Sequence, residues 1–595
     1  MRQPPPPRRK GRLAVLLVLC LAVFALFLGR LVWMQFARAD YYTAKATQAS
    51  SVRYTVPLPA ARGAITDRDG NVLAQDQTVY DLYLRYPAPP GTDMQQTLQQ
   101  LQQLPGGEDV ETHLAAFCST VSGGELPVAQ ALTPAQCRAL YAAGLVQSGA
   151  VRLAPRGVRQ TPGGVLFPHL LGLVGAVTPE QWPALQAQGV AMDAAVGQSG
   201  LELAFDALLR GTPGTLRQTV GRDGTLRDST TLRAPQPGAT LHLTVNSALQ
   251  AVVQQALQTT LTDLQTNGKP GEGREATAGA AVVVEVQTGA ILAAASVPGF
   301  DLSRYRTDYA ALATDPAAPL LDRVCRGLYA PGSTFKPAVA VAALLAGQNP
   351  AETVWCAGRY DYYAPYRPRC LQYGHSGPVD LSTALAYSCN CYFYEMGRRV
   401  GADGFAAVAE QLGLGQLTAA ELPQAEGRLT RSTDENFTPG LTPQAAIGQG
   451  NTAVTPLQLA GYAATLASGG QHPALHFVAQ ATTPDGTVVY TPDLTPTTVP
   501  GGPEVFGPVQ QGMARMAQTT RLLREAPVPC AAKTGSPQLS AFAADGTRLV
   551  HAVLIGFAPV EQPRIAVAVV LEQGGGGSRA VPVLRAVLDR ADLWQ

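Results

Sequence analysis

Lysine is scarce in this chain. Of 44 basic side chains among 595 residues only five are lysines, Lys10, Lys45, Lys269, Lys336 and Lys533, so arginine carries the surface charge and each lysine invites its own explanation. Charged residues make up 15% of the chain, below the roughly 25% usual in soluble domains, which excludes a charge-rich disordered protein. With 43 acidic residues the balance is +1, so no overall field favours nucleic acid, and no nucleic-acid partner is expected. Long hydrophobic runs are missing after residue 36, and no internal repeat is visible. What is abundant is glycine (60) and proline (47), a composition of loops and short strands. The length allows up to about four domains.

The one long apolar run stands near the amino terminus. Arg2, Arg8, Arg9, Lys10 and Arg12 precede an uncharged stretch from Leu13 to Gly29, and Leu31–Phe36 continues it past Arg30. About 20 helical residues at 1.5 Å each cross a bilayer core of about 30 Å, with Arg30 snorkelling and Trp33 at the interface. A cleaved signal peptide is the rival reading, but the run is long for one and no clean cleavage site follows. The expectation is a basic cytoplasmic tail (1–12), a single transmembrane helix (13–36) and everything after about Asp40 outside the cytoplasm.

Beyond the span, residues 40–240 have short apolar runs and read as β-rich and irregular, with a helix near Thr97–Leu104. An amphipathic helix near Ser247–Leu264 leads into a polar loop, Gly268–Ala276. Ala280–Val286, the turn Gln287-Thr288-Gly289 and Ala290–Ser296 form a buried hairpin, and Leu549–Phe557 with Ile565–Leu571 form a second strand pair. Alanine-rich helices such as Ala338–Ala346 and Leu457–Ala467 lie between. Strands at both ends with helices between predict an α+β domain whose sheet joins its first and last segments.

Two of the five lysines fall in short motifs. Ser333-Thr334-Phe335-Lys336 follows the turn Tyr329–Gly332 and opens a helix, so the Ser333 hydroxyl and the Lys336 amine share a face. Serine becomes a nucleophile when a base takes its proton, and a desolvated lysine of lowered pKa is such a base. Alone, an S-x-x-K is weak. Ser388-Cys389-Asn390 is the only S-x-N, however, and Lys533-Thr534-Gly535, followed by Ser536, is the only K-T-G.

These three motifs, in this order and at these distances, resemble the penicillin-binding and serine β-lactamase fold. Arg62–Gly70 with Leu73-Ala74, Arg159–Gly175 with His169 and Gly172, and Gly197–Gly214 with Gly200-Leu201-Glu202 and Asp206 are similar to the three pedestal motifs of class B penicillin-binding proteins. Leu243–Asn246 with Gln250 resembles the junction, where an aspartate is commoner than Asn246. Ile447–Gly450 and Thr455–Gln458 extend the likeness, which runs from about residue 50 to 575. It implies a transpeptidase-like domain (246–595), with an antiparallel sheet, helices on both sides and an all-helical part, on a β-rich pedestal (40–245).

By the same resemblance Ser333 attacks the penultimate D-alanine carbonyl of a peptidoglycan stem peptide, and Lys336 takes its proton. Ser388 relays a proton to the leaving D-alanine and Asn390 holds a substrate amide. Lys533, Thr534, Gly535 and Ser536 line the site for the terminal carboxylate, with Lys533 lowering the pKa of Lys336 by repulsion. The amides of Ser333 and Ser536 form an oxyanion hole. The product is a cross-link, the enzyme is a β-lactam target, and no cofactor is needed for the chemistry. For the pedestal, Arg62 with Asp67 reads equally well as a structural ion pair or as part of a partner site, and His169 as structural. The carboxy-terminal strand and glycines 574–577 are closer to the elongation type, whose expected partners are lipid-linked glycan strands, the membrane, a SEDS-family glycosyltransferase and other elongation proteins. A division-type transpeptidase and a non-catalytic scaffold or β-lactam sensor are the alternatives.

Nine cysteines remain to be placed. Cys20 lies in the apolar run, and disulfides such as Cys118–Cys137 or Cys356–Cys370 suit an oxidising exterior. Cys356, Cys370, His375 and Cys389 also form a closed tetrahedral zinc set by ligand type, and some elongation-type class B enzymes carry zinc in this stretch. A structural zinc that staples the Ser388–Asn390 loop is the preferred expectation, with Cys391 turned elsewhere on its helix as a core residue.

Overall fold

The computed structural model describes residues 10–42, 45, 52–88, 92–104, 109–120, 124–220, 226–371 and 374–595. The expected tail falls almost entirely outside them. Lys10–Val32 is α-helical and Trp33–Ala37 continues it as a wider π turn. Leu13–Ala37 is apolar and long enough to cross a membrane, and none of it is buried by protein. The guanidinium of Arg30 lies 4.5 Å from the centre of the Trp33 ring, a pairing suited to an interface.

The chain divides into two compact units. The first takes residues 1–60, 78–157 and 212–236. In it Val52–Leu58 pairs antiparallel with Gly214–Val220, which pairs with Leu226–Arg233. Tyr80–Tyr86 pairs with Gly124–Leu132 over a small core that includes Leu82, Leu84, Leu101, Leu126 and Leu140. This unit is more helical than its sequence suggested. The expected helix lies three residues early, at Met94–Leu101, where the Asp93 carboxylate caps it by accepting from the Gln96 amide. Val110–Thr120 and Pro134–Ala142 are also helices, the latter started by a capping box of Thr133 and Gln136. Short helices with one apolar stripe hide among polar residues, which is why the irregular texture was misleading.

The second unit takes residues 61–77, 158–211 and 237–595. Its pedestal segments close on a buried charge cluster. Arg62 donates to Glu202 (2.5 Å) and Asp206 (2.8 Å), and Arg159 donates to the other Glu202 oxygen (2.7 Å) and to the Gly63 carbonyl (2.8 Å). The pairing of Arg62 with Asp67 is therefore corrected: Asp67 instead accepts from Asn71 and from the Ser247 hydroxyl (2.6 Å). His169 contacts the Pro319 carbonyl (2.9 Å), a structural place. At the junction Asn246 accepts the Leu249 amide (2.9 Å) and starts the helix Ser247–Asn267, a task asparagine performs as well as aspartate.

A five-stranded antiparallel sheet organises this unit, in the order Ile291–Val297, Gly279–Glu285, Ile565–Leu571, Ala552–Ala558, Ala531–Gly535. First and last segments thus lie side by side, as expected of the α+β pattern. Alternate residues feed two cores. Ala280, Val282 and Val284 pack with Pro456–Ala467 and Lys336–Leu345, whereas Ala281 and Val283 pack with Ser247–Asn267 and Val581–Leu588. One expected strand, Leu549–Phe557, is split: Arg548–Val550 pairs with Gln538–Phe542 as a separate hairpin, and the sheet strand starts only at Ala552. The break is at His551, whose amide donates to the Pro537 carbonyl.

Candidate active site

The Ser333 turn is built by close approach of backbone. Gly332–Phe335 is a 3₁₀ turn and the α-helix begins at Lys336, so Ser333 precedes the helix rather than opening it. Gly332 has φ +56° and donates its amide to the Gly448 carbonyl (2.9 Å). A Cβ on Gly448 would lie 2.2 Å from the Gly332 carbonyl oxygen, which explains glycine in the Ile447–Gly450 segment. On the other side the Ala531–Gly535 strand abuts the turn: a Cβ on Gly535 would lie 2.5 Å from the Pro331 oxygen and 3.2 Å from the Ser333 nitrogen. That strand is the outer one of the sheet.

Lys336 is fully buried, and its amine donates to the Ser388 carbonyl (2.8 Å), the Ser388 hydroxyl (3.0 Å) and the Asn390 side-chain oxygen (2.6 Å). Ser388 reaches it from a left-handed conformation (φ +57°) uncommon for a residue with a side chain, stored strain of the kind that gathers at functional sites. Burial pushes the Lys336 pKa down to about 8, with the Cys389, Cys370 and Cys391 thiols pulling the other way. Lys533 is also fully buried and donates to the Thr534 carbonyl (3.0 Å); burial and then the Lys336 charge hold its pKa well below the usual lysine range. Burial is the leading cause at Lys336, and the repulsion between the two buried amines, mutual by nature, adds to it at the pair. Thr534 and Gly535 continue the strand, and the Ser536 hydroxyl accepts the Gly577 amide (2.9 Å).

The four candidate metal ligands converge next door. The side-chain donor atoms of Cys356, Cys370, His375 and Cys389 all lie within 4.8 Å of one another, the three thiols buried. Zn–S bonds of about 2.3 Å set tetrahedral ligands about 3.8 Å apart, so donor type and spacing both fit a structural zinc. Cys356 sits on a strand paired with Gly377–Val379, and Cys389 immediately precedes the helix Asn390–Val400. The Asn390 amide donates to the Cys370 sulfur (3.3 Å), an outer contact of the kind that orients metal thiolates. No disulfide joins Cys356 to Cys370 or Cys118 to Cys137. Cys391 is buried, as expected, but its thiol lies against those of Cys370 and Cys389 rather than away from them.

Residues 279–589 match the model of the penicillin binding protein transpeptidase domain, and residues 57–243 that of the penicillin-binding protein dimerisation domain. The chain belongs to the penicillin-binding protein transpeptidase family. Among its relatives are the peptidoglycan D,D-transpeptidase MrdA of Acinetobacter baumannii, 28% identical over 96% of this chain and 86% of that protein, and the peptidoglycan D,D-transpeptidase PbpA of Mycolicibacterium smegmatis, 33% identical over 66% and 79%. A solved chain described under structural coordination of polymerization and crosslinking by a peptidoglycan synthase complex superimposes with a TM-score of 0.74, at 30% identity and 98% coverage of both chains. Pseudomonas aeruginosa PBP2 in complex with WCK 5153 gives 0.65, at 27% identity, covering 90% of this chain and 96% of that one. The MrdA likeness spans nearly the whole chain and puts it with the elongation-type class B members of this family.

Sequence reasoning missed one part of the site. Arg323, Tyr329 and Glu572 form a hydrogen-bonded group behind the Ser333 turn. Tyr329 stood in the turn before Ser333, but nothing local links it to a residue 243 positions away.

Proposed function

We propose that this protein is a serine D,D-transpeptidase that cross-links peptidoglycan stem peptides during cell elongation. The observation that carries the reading is the Lys336 amine, buried and lowered in pKa, held between Ser388 and Asn390 one turn from Ser333 and beside the Lys533 strand. A neutral amine of pKa about 8 accepts the Ser333 proton near physiological pH. The serine oxygen bonds to the penultimate D-alanine carbonyl carbon, and the oxyanion so formed is met by the Ser333 and Ser536 amides. Collapse breaks the peptide C–N bond, and terminal D-alanine leaves as an amine after receiving the proton by way of Lys336 and Ser388. An amine of a second stem peptide then attacks the ester, loses a proton to the same base and releases Ser333. The outer edge of the Ala531–Gly535 strand offers main-chain groups to an extended peptide, with Thr534, Gly535 and Ser536 beside it and the Lys533 amine behind, which the arriving terminal carboxylate favours in its protonated form. β-Lactams acylate the same serine.

The test is covalent labelling of the detergent-solubilised full chain with a fluorescent penicillin. Ser333→Ala abolishes the label in this reading, and unchanged labelling refutes it. An adduct that hydrolyses slowly marks a transpeptidase, and turnover within seconds a β-lactamase.

Cys356, Cys370, His375 and Cys389 are suited to hold one zinc ion, which would fix the segment before Asn390 and perform no reaction step. Metal analysis giving less than half an equivalent of zinc in purified protein would overturn this. The apolar helix is proposed as a single membrane anchor with residues 1–12 cytoplasmic and the rest outside. A glycosyltransferase of the SEDS family is the proposed partner, in line with the synthase complex of the 30% identical relative, and co-purification from native membranes tests it.

A further inference from the structure

The group behind the Ser333 turn ties together the two segments that present the proposed oxyanion donors. One oxygen of Glu572 accepts both the Tyr329 hydroxyl (2.7 Å) and Arg323 Nε (2.8 Å). The other guanidinium nitrogens of Arg323 donate to the carbonyls of Ala318 (2.9 Å) and Ala317 (2.6 Å), so its plane has no freedom left. Tyr329 is buried and exchanges both main-chain hydrogen bonds with Val454 (2.9 Å each). Its ring stands edge-on to His551 at 5.5 Å. Burial raises the phenol pKa, and the Glu572 charge adds to that, so the hydroxyl stays a donor.

Glu572 also connects to the other side of the cleft. Its amide donates to the Ala278 carbonyl (2.8 Å), and the next residue, Gln573, donates its amide to His551 Nδ1 (3.0 Å) from a left-handed conformation (φ +55°). The His551 amide donates to the carbonyl of Pro537, and the Gly577 amide donates to the Ser536 hydroxyl (2.9 Å). Turn and strand end touch without slack: a Cβ on Gly332 would lie 2.9 Å from Pro537 and 3.3 Å from the Ser536 nitrogen.

We infer that Glu572 is a positioning residue for acyl transfer: by holding Tyr329 on one side and leading through Gln573–Gly577 to Ser536 on the other, it sets the separation of the Ser333 and Ser536 amides. The inference rests on the acyl-transfer reading above and adds to it a residue remote from the three motifs. A misplaced oxyanion donor weakens the transition state and leaves the first encounter complex intact, which separates positioning from general loss of fold.

Stopped-flow acylation of the full chain by a fluorescent penicillin, resolved into the pre-covalent dissociation constant and the acylation rate constant, reads this directly. Tyr329→Phe and Glu572→Ala are expected to lower the rate constant about tenfold or more and to leave the dissociation constant within about twofold. Affinity for a boronic acid, whose tetrahedral adduct uses both amides, falls in the same proportion. Glu572→Gln keeps an acceptor oxygen and stays within about threefold of the parent. A rate constant unchanged within about twofold in Tyr329→Phe overturns the inference, as do equal losses in both constants or Glu572→Gln falling as far as Glu572→Ala. If Tyr329→Phe does not fold, the two Glu572 variants decide by the same criteria; if these do not fold either, the group is a folding element and the inference is overturned. Ser333→Ala run in parallel keeps the two questions apart: label persisting there sinks the serine assignment, whereas its loss beside normal network variants sinks only the role of Glu572.

Discussion

Two places in the second unit bury charge, and they do so in opposite ways. In the pedestal cluster every cation meets an anion: Arg62 and Arg159 share Glu202, with Asp206 and Asp76 alongside. In the cleft two amines, Lys336 and Lys533, are buried with no carboxylate on either among the described residues; their partners are a serine, an asparagine and main-chain carbonyls. Paired charges hold segments in register, whereas buried amines without a counter-ion have their pKa lowered, as both lysines record. The first arrangement serves the fold at no cost in chemistry; the second sacrifices stability to obtain a base and an anion site.

Two substitutions and a pH profile separate the two sites, with a surface substitution as control, taken from the largest effect down. Lys336→Met removes the base and is expected to lower penicillin acylation on the order of a thousandfold or more. Its melting temperature, measured alongside, holds or rises because a buried unpaired amine is gone; a large fall would contradict the contrast. In the parent chain the same base makes acylation pH-dependent. Below a pKa of about 8 the amine carries a proton and cannot accept another, so the rate drops about tenfold per pH unit on the acid side and levels off above.

Glu202→Ala is the converse. It takes the shared anion from Arg62 and Arg159, leaving them only Asp206 and Asp76, and is expected to cost about 3 kcal/mol of stability, read from denaturant unfolding. Protein that remains folded still takes up penicillin. Loss of acylation in folded Glu202→Ala protein would show that the pedestal cluster acts on the cleft after all.

Asp308→Ala calibrates the scale. Its partner Arg304 is 68% exposed and one helical turn away, so the change is expected to move stability by less than about 0.5 kcal/mol.

Much of this was legible beforehand because it depends on local pattern. The run Ala280–Val284 is apolar at every position, which marks a strand covered on both faces, and both cores are found there. The helix Ser247–Asn267 announced itself by its amphipathic period, over Ser247–Leu264. Where sequence reasoning failed, the cause was context. His551 ends one strand pairing and permits the next because its main chain turns to Pro537, and no propensity encodes that contact. The helices of the first unit are only 8 to 11 residues long, so each has too few turns for its period to stand out from that of loops.

The sequence by itself determined the apolar segment, the three motifs with their order, and the set of sulfur and imidazole donors, since each is a matter of residue type at short range. Tertiary structure alone decided that burial lowers the pKa of Lys336, that Arg62 chooses Glu202 over Asp67, and that Glu572 reaches Tyr329. Those facts depend on desolvation and on contacts between residues far apart in the chain. Both arise only when distant segments of the chain have come together.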